Sequence, residues 1–204
     1  METLASHGEV QERRIAPVSV HRPAKVAAYE KRGHLGIYAY IVPAIAQSLC
    51  RAYSSLMQIS LVTADDLPQV LPLMRAYCRF YQVNPSDDDL LGMSRSLLVD
   101  PSGMGVQLMA RNDSVAVVGF ATLVWTWSTL SASLIGIMND LFVVPEARGL
   151  GVADELIAAC CAQCRARGAT VLSWQTAKDN HRAQAVYDRM GAEREEWLDY
   201  SLPM

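Results

Sequence analysis

Histidine is scarce: the chain has four, and His181 is the only one beyond residue 34. Cys161-x-x-Cys164 therefore lacks the further ligands a zinc site needs, and a redox pair would sit at a helix N-terminus rather than in the middle of the helix expected here. The five cysteines are an odd number, and Cys160, Cys161 and Cys164 crowd one segment. That excludes a framework of paired disulfides and reads instead as small residues in and near a core. No metal site is expected. Long apolar runs are also missing. The stretch from Leu35 to Leu49, preceded by Lys31 and Arg32, is shorter than the roughly 20 residues a membrane helix needs, and it starts too far along the chain for a secretory signal. Neither a membrane nor an exported location is implied, so a cytoplasmic protein is expected. Finally, positive charge is missing where nucleic acid would need it. Residues 57–204 carry 11 Lys/Arg against 17 Asp/Glu, a net −6, while residues 1–56 carry 7 against 4. The acidic balance excludes a nucleic-acid surface and suits a cationic small molecule.

What is present divides the chain in two. Residues 1–56 are polar at first, with neither sustained alternation nor helical period, and read as an extension, disordered or loosely packed. Regular patterning starts near Met57. "QISLVT" alternates as a strand, and Thr63-Ala-Asp65 opens a helix with Leu67, Val70, Leu71, Met74, Tyr77 and Cys78 at helical spacing. A second helix is expected from Leu90 to Val99, with Asp87, Asp88 and Asp89 at its positive end. Two apolar strands around Asn112-Asp113-Ser114 read as a hairpin. Then come a strand over 133–143, a helix over 150–167, a strand over 170–176, a helix over 180–190 closed by Gly191, and a strand region over 193–202. The fold class is α+β, with one β-α-β crossover spanning 135–176.

Between the strand and the helix of that crossover stands "DLFVVPEARGLGVADEL". Gly149 and Gly151 lie where unpaired backbone N–H groups and the helix dipole attract an anion, and glycine lets the backbone approach one closely. Arg148 adds a guanidinium. A Walker loop would require Gly-Lys-Ser/Thr, which does not follow, and a dinucleotide fingerprint would need glycine where Asp154 stands. The pattern that fits is Arg148-x-x-Gly151-x-Ala153. In this loop, and in the strand, helix, strand and Asn180-led helix around it, the chain resembles the GNAT superfamily of N-acetyltransferases. The likeness extends more loosely over 58–204 and leaves 1–56 without a counterpart.

The resemblance implies a GNAT fold: a mixed, mostly antiparallel sheet with a splayed parallel pair and flanking helices. It implies acetyl-CoA as co-substrate, with the pyrophosphate on Arg148, Gly149, Leu150, Gly151, Val152 and Ala153. The pantetheine arm would lie along the backbone of Leu141, Phe142 and Val143, with Asn180 nearby. Tyr187, seven residues after Asn180, matches the tyrosine that protonates the departing thiolate. Polyamine acetyltransferases have Glu-Asp where this chain has Asn139-Asp140, so the usual glutamate base is absent. Proton removal from the amine then falls to Asp140 or to water ordered by Asn139; a purely structural carboxylate is the alternative. Asp87, Asp88 and Asp89 offer carboxylates to a cationic acceptor or simply cap a helix, and Trp125, with Trp127, either lines the acceptor cavity or fills the core. The expected reaction is acetyl transfer from acetyl-CoA to the primary amine of a small cationic molecule, with a homodimer left open. Two other functions stay open: protein or peptide N-acetylation, and a catalytically silent acyl-CoA-binding module.

Overall fold

The computed structural model describes residues 57–204. The expected extension over 1–56 lies outside the described residues. Strand β1 (Gln58–Leu61) leads through a short 3-10 turn into helix α1 (Leu67–Phe80). At that turn the Asp66 carboxylate accepts from the Thr63 N–H at 2.8 Å and its hydroxyl at 2.6 Å. Helix α2 (Asp87–Val99) follows, then the strands β2 (Gly105–Arg111), β3 (Val117–Ser128) and β4 (Ser133–Val143). Helix α3 (Val152–Ala166), the short strand β5 (Leu172–Ser173) and helix α4 (His181–Arg189) complete the regular structure. The sheet runs in the order β1-β2-β3-β4-β5. All neighbours are antiparallel except β4 and β5, which are parallel and joined through α3.

Each face of the sheet has its own core. On one, α3 buries Val152, Leu156, Ile157 and Cys160 against Val106, Leu108, Leu123 and Met138. Cys160 and Cys164 are core residues, as the sequence implies, and burial pushes the Cys160 thiol up to about 12, which leaves it neutral. On the other face, Val70, Leu73 and Met74 of α1 and Leu90 of α2 cover Met109, Phe120 and Phe142. Gly136 lets α3 sit close over the parallel pair, since a Cβ there would stand 2.5 Å from Cys164 Sγ.

Three boundaries differ from the sequence reading. Helix α2 begins at Asp87 rather than Leu90 because Ser86 caps it: its hydroxyl accepts from the Asp89 N–H at 3.1 Å, and the Asp89 carboxylate accepts back from that hydroxyl at 2.6 Å. The strand expected over 170–176 shrinks to Leu172–Ser173. No strand forms over 193–202, where Trp197, Leu198, Tyr200 and Leu202 are exposed. Alternation alone does not make a strand; it needs a ladder partner, and β5 is only two residues long.

Candidate active site

The parallel register ends after Gly136↔Leu172 and Ile137↔Ser173, while β4 runs on to Val143. Past Ile137 the two chains diverge, and a cavity of about 180 Å³ opens between β4, Trp174–Thr176 and α4. Backbone polar groups alternate sides along a strand. The Val144 N–H donates inward to Val118 O at 2.9 Å, so Leu141 and Val143 turn their backbone groups toward the gap. The carbonyl of Val143 shows this directly, accepting from Arg148 Nε at 2.8 Å.

A bulge re-aims the middle of β4. Thr122 pairs with Asp140 and Leu123 with Met138, which leaves Asn139 as an extra residue. Two residues apart on a regular strand, Met138 and Asp140 would share a face. With the bulge, Met138 goes into the α3 core while Asp140 lies on the other face, beside Tyr77 and Cys78 of α1. Burial raises the Asp140 carboxyl above the ordinary carboxylate range, and hydrogen bonds from Thr122 and Tyr77 oppose that shift. Tyr77 has a single phenolic proton. The Asn139 carbonyl, 3.4 Å away, is a marginal acceptor for it, and the carboxylate is the stronger one. Burial and the nearby Asp140 charge also push the Tyr77 phenol well above its usual range.

Tyr187 enters the cavity from α4, its ring 5.1 Å from Trp174 in an edge-on contact. Burial, with a smaller contribution from Tyr81, raises its phenol, so it carries its proton throughout the neutral range. Asn180 opens the same helix, its Oδ1 accepting from the Ala183 N–H at 3.2 Å. His181 beside it is exposed and stays out of the cavity.

At the opposite end lies the glycine loop. Gly149 and Gly151 adopt φ values of +82° and +85°, the left-handed region that only glycine enters without strain. Gly151 is the N-cap of α3, and among the described residues no side chain caps it, which leaves first-turn N–H groups for another acceptor. Arg148 arches over this end with its guanidinium 5.8 Å from the Phe142 ring centre, and Asp154 ties α3 to α4 through two bonds of 2.8 Å from Arg189 Nη2.

The structure thus brings Asn139, Leu141, Phe142, Val143, Arg148, Ala153, Asn180 and Tyr187 around one cavity. Gly149, Leu150 and Gly151 form the loop at its end, and Val152 is buried in the core instead. Asp140 stands behind Tyr77, one residue from the cavity wall on either side. The acidic trio is elsewhere: Asp87 pairs with Arg75, Asp89 with Ser86, and Asp88 is exposed, all at the start of α2. Trp125 is also outside, donating from Nε1 to Pro101 O at 3.1 Å under the Arg167 guanidinium. Sequence reasoning missed the aromatic wall of Tyr77, Phe80 and Tyr81 at the end of α1. Tyr77 fitted the helical apolar spacing and so was indistinguishable from a core residue.

Residues 69–192 match the acetyltransferase (GNAT) family. An uncharacterized N-acetyltransferase of Bacillus subtilis (strain 168), YhfO, is 30% identical over 139 residues, covering 68% of this chain and 91% of that protein. The crystal structure of a probable acetyltransferase superposes with a TM-score of 0.64 at 28% identity, covering 72% of this chain and 97% of its own. The aminoglycoside-type enzyme AAC(6')-Iy, in complex with the bisubstrate analog CoA-S-monomethyl-acetylneamine, superposes with a TM-score of 0.64 at 22% identity over 72% of this chain and 98% of its own, a likeness of fold.

Proposed function

The chain belongs to the acetyltransferase (GNAT) family, and from that premise we propose that it transfers the acetyl group of acetyl-CoA directly to the primary amine of a small cationic molecule. One observation carries the reading: past the end of the β4–β5 pairing, Arg148 and Ala153, which flank the glycine-led start of α3, line a single cavity with Tyr187. The helix end and Arg148 suit a pyrophosphate. The backbone of Leu141 and Val143 offers an added strand's hydrogen bonds to an extended amide-bearing arm. An N–H on the same edge is placed to stabilise the oxyanion formed when an amine attacks the thioester. Asp140 takes the proton that an ammonium must lose before attack, and Tyr187 protonates the leaving thiolate while the second proton, shed by the nitrogen as it becomes an amide, restores the phenol.

The acceptor side is aromatic rather than acidic. The ring faces of Tyr77, Phe80 and Tyr81 attract a cation, and Asp140 lies just behind them. These groups, in place of Asp87, Asp88 and Asp89, support a cationic amine. Thiol release should be followed across a panel of polyamines, aminoglycosides, arylalkylamines and peptides with free N-termini. Sustained release with one small-amine class is expected. Release with peptides alone overturns the substrate class, and binding of acetyl-CoA without release to any acceptor overturns the reaction.

We assign residues 57–204 as the acetyltransferase domain, because the described sheet starts at Gln58 and the family match lies within them. Calorimetry tests this assignment and the cradle together. A chain starting at Met57 is expected to bind acetyl-CoA as the full chain does. Gly151→Ala has open space for its Cβ, so it should fold, with a loss of about 1–2 kcal/mol for left-handed backbone. Its affinity should nevertheless fall about tenfold as the first turn of α3 shifts, a change worth about 1.4 kcal/mol. Unchanged affinity in the folded variant removes the cradle, and a Met57 chain that does not fold moves the domain boundary.

A further inference from the structure

We propose that Gln107 and Thr122 are positioning residues for Asp140, forming a hydrogen-bonded row across three strands that holds its carboxyl group as a proton acceptor. The proposal rests on the reading of Asp140 as the base. The centre of the sheet face under α1 and α2 is built on apolar Met109, Phe120 and Phe142, with Arg111 at its edge paired to Asp66. One row crosses it with polar side chains: Gln107 lies opposite Thr122, and Thr122 opposite Asp140. Residues directly opposite one another share a face and touch. Gln107 and Thr122 are only 4% and 2% exposed. Valine or leucine at those two positions would fill the same space without desolvating an amide and a hydroxyl. Packing alone therefore does not account for the row, whereas the carboxylate at its end does.

The chemistry gives the row a direction. Gln107 Nε2 donates to Thr122 Oγ1 at 3.2 Å. A hydroxyl that accepts there keeps its one proton for another partner, and the Asp140 carboxyl stands directly opposite Thr122 on the next strand to take it. Each donor polarises the next, so the amide strengthens the bond that reaches the charge. Gln107 Oε1 is left buried without a partner among the described residues. Turning the amide over would satisfy that oxygen with the Thr122 proton, and Asp140 would be left with Tyr77 alone as donor. An orphaned carbonyl is the cost of the direction observed.

Apart from the Tyr77 hydroxyl, the groups around Asp140 do not supply what the row supplies. From α1, Tyr77 and Cys78 face it, with Tyr81 beside Tyr77, and Tyr187 of α4 lies near Tyr81. The protons of Tyr77, Cys78 and Tyr187 are held more tightly than usual, so these groups remain neutral and offer no countercharge. Hydrogen bonds from Thr122 and Tyr77 are what oppose burial at this carboxylate. A bond to the charged form lowers a carboxyl pKa, so removing it raises the midpoint.

The test needs no acceptor. The full chain, labelled with ¹³C at the aspartate carboxyls, is titrated by NMR without ligand, and Asp140 is assigned by the signal that Asp140→Asn removes. Thr122→Val is expected to raise the Asp140 midpoint by about one pH unit, the weight of one hydrogen bond to a charge. Gln107→Met keeps the buried volume and should shift it the same way by a smaller amount, while Thr122→Ser restores the wild-type midpoint. Midpoints within 0.2 unit of wild type in the folded Thr122 and Gln107 variants overturn the row. Should Thr122→Val not fold, Gln107→Met decides alone. Failure of the base reading is separate: the NMR shifts would stand, while Asp140→Asn would transfer acetyl groups with an unaltered pH profile.

Discussion

Replacing Tyr187 by phenylalanine is expected to lower kcat by about 10²–10⁴-fold, the usual weight of a positioned general acid, while affinity for acetyl-CoA changes little. The substitution removes one hydroxyl and keeps the ring, so the edge-on contact with Trp174 at 5.1 Å survives. The lost group is a proton donor held ready. Burial holds the phenol's proton more tightly than usual, which suits a group that must donate rather than accept. The collapsing tetrahedral intermediate expels a thiolate, which with an ordinary thiol pKa of about 8.5 ends mostly protonated at neutral pH, so a proton delivered as the C–S bond breaks drives the breakdown forward. The variant should therefore form its intermediate normally and stall at breakdown. Single-turnover measurement of thiol release, with both substrates bound, reads that step. A wild-type rate there would hand protonation to water or to another group and leave Tyr187 as a packing residue against Trp174.

The sequence carried the parts of this site that are local. The glycine spacing after β4 placed two left-handed residues and an uncapped helix start, and Asn180 and Tyr187 fell on one short helix. Such features depend on neighbours a few residues apart. What the sequence hid depends on pairing across strands. Asn139 becomes a bulge only because Thr122 and Leu123 set the register opposite it, and nothing in "IMNDLF" distinguishes a bulge from continued alternation. Asp87, Asp88 and Asp89 carry charge suited to a cationic acceptor, yet they serve the start of α2, where Arg75 and Ser86 engage two of them. Tyr77 has the opposite history. Helical spacing assigns it to the core, and the splay of β4 from β5 leaves it on the cavity wall. Gln107 and Thr122 read as ordinary members of alternating strands, and their common row with Asp140 exists only in the folded sheet.

Asp140→Asn should produce the second large effect, about 10²–10³-fold in kcat/KM at pH 7, and its signature is that the defect shrinks as pH rises. An alkylamine with a lysine-like pKa near 10.4 reaches a neutral solution almost wholly as ammonium and gains free base about tenfold per pH unit. The wild-type enzyme can bind the ammonium and pass its proton to Asp140. The variant must wait for the small deprotonated fraction, so its rate should climb with pH until the two enzymes converge. The same substitution separates catalysis from stability. Because burial raises the Asp140 pKa in the folded state, the native protein binds more protons than the unfolded chain between the two pKa values, and stability falls as pH rises through that window. Above it the wild type carries the full cost of a buried carboxylate, which the neutral amide removes while still accepting from Thr122. Asp140→Asn is therefore expected to melt higher than wild type at neutral pH while transferring acetyl groups far more slowly. A variant that is both slower and less stable, with a defect constant from pH 6 to 9, would make Asp140 a structural acceptor for Thr122 and Tyr77 and move the base elsewhere.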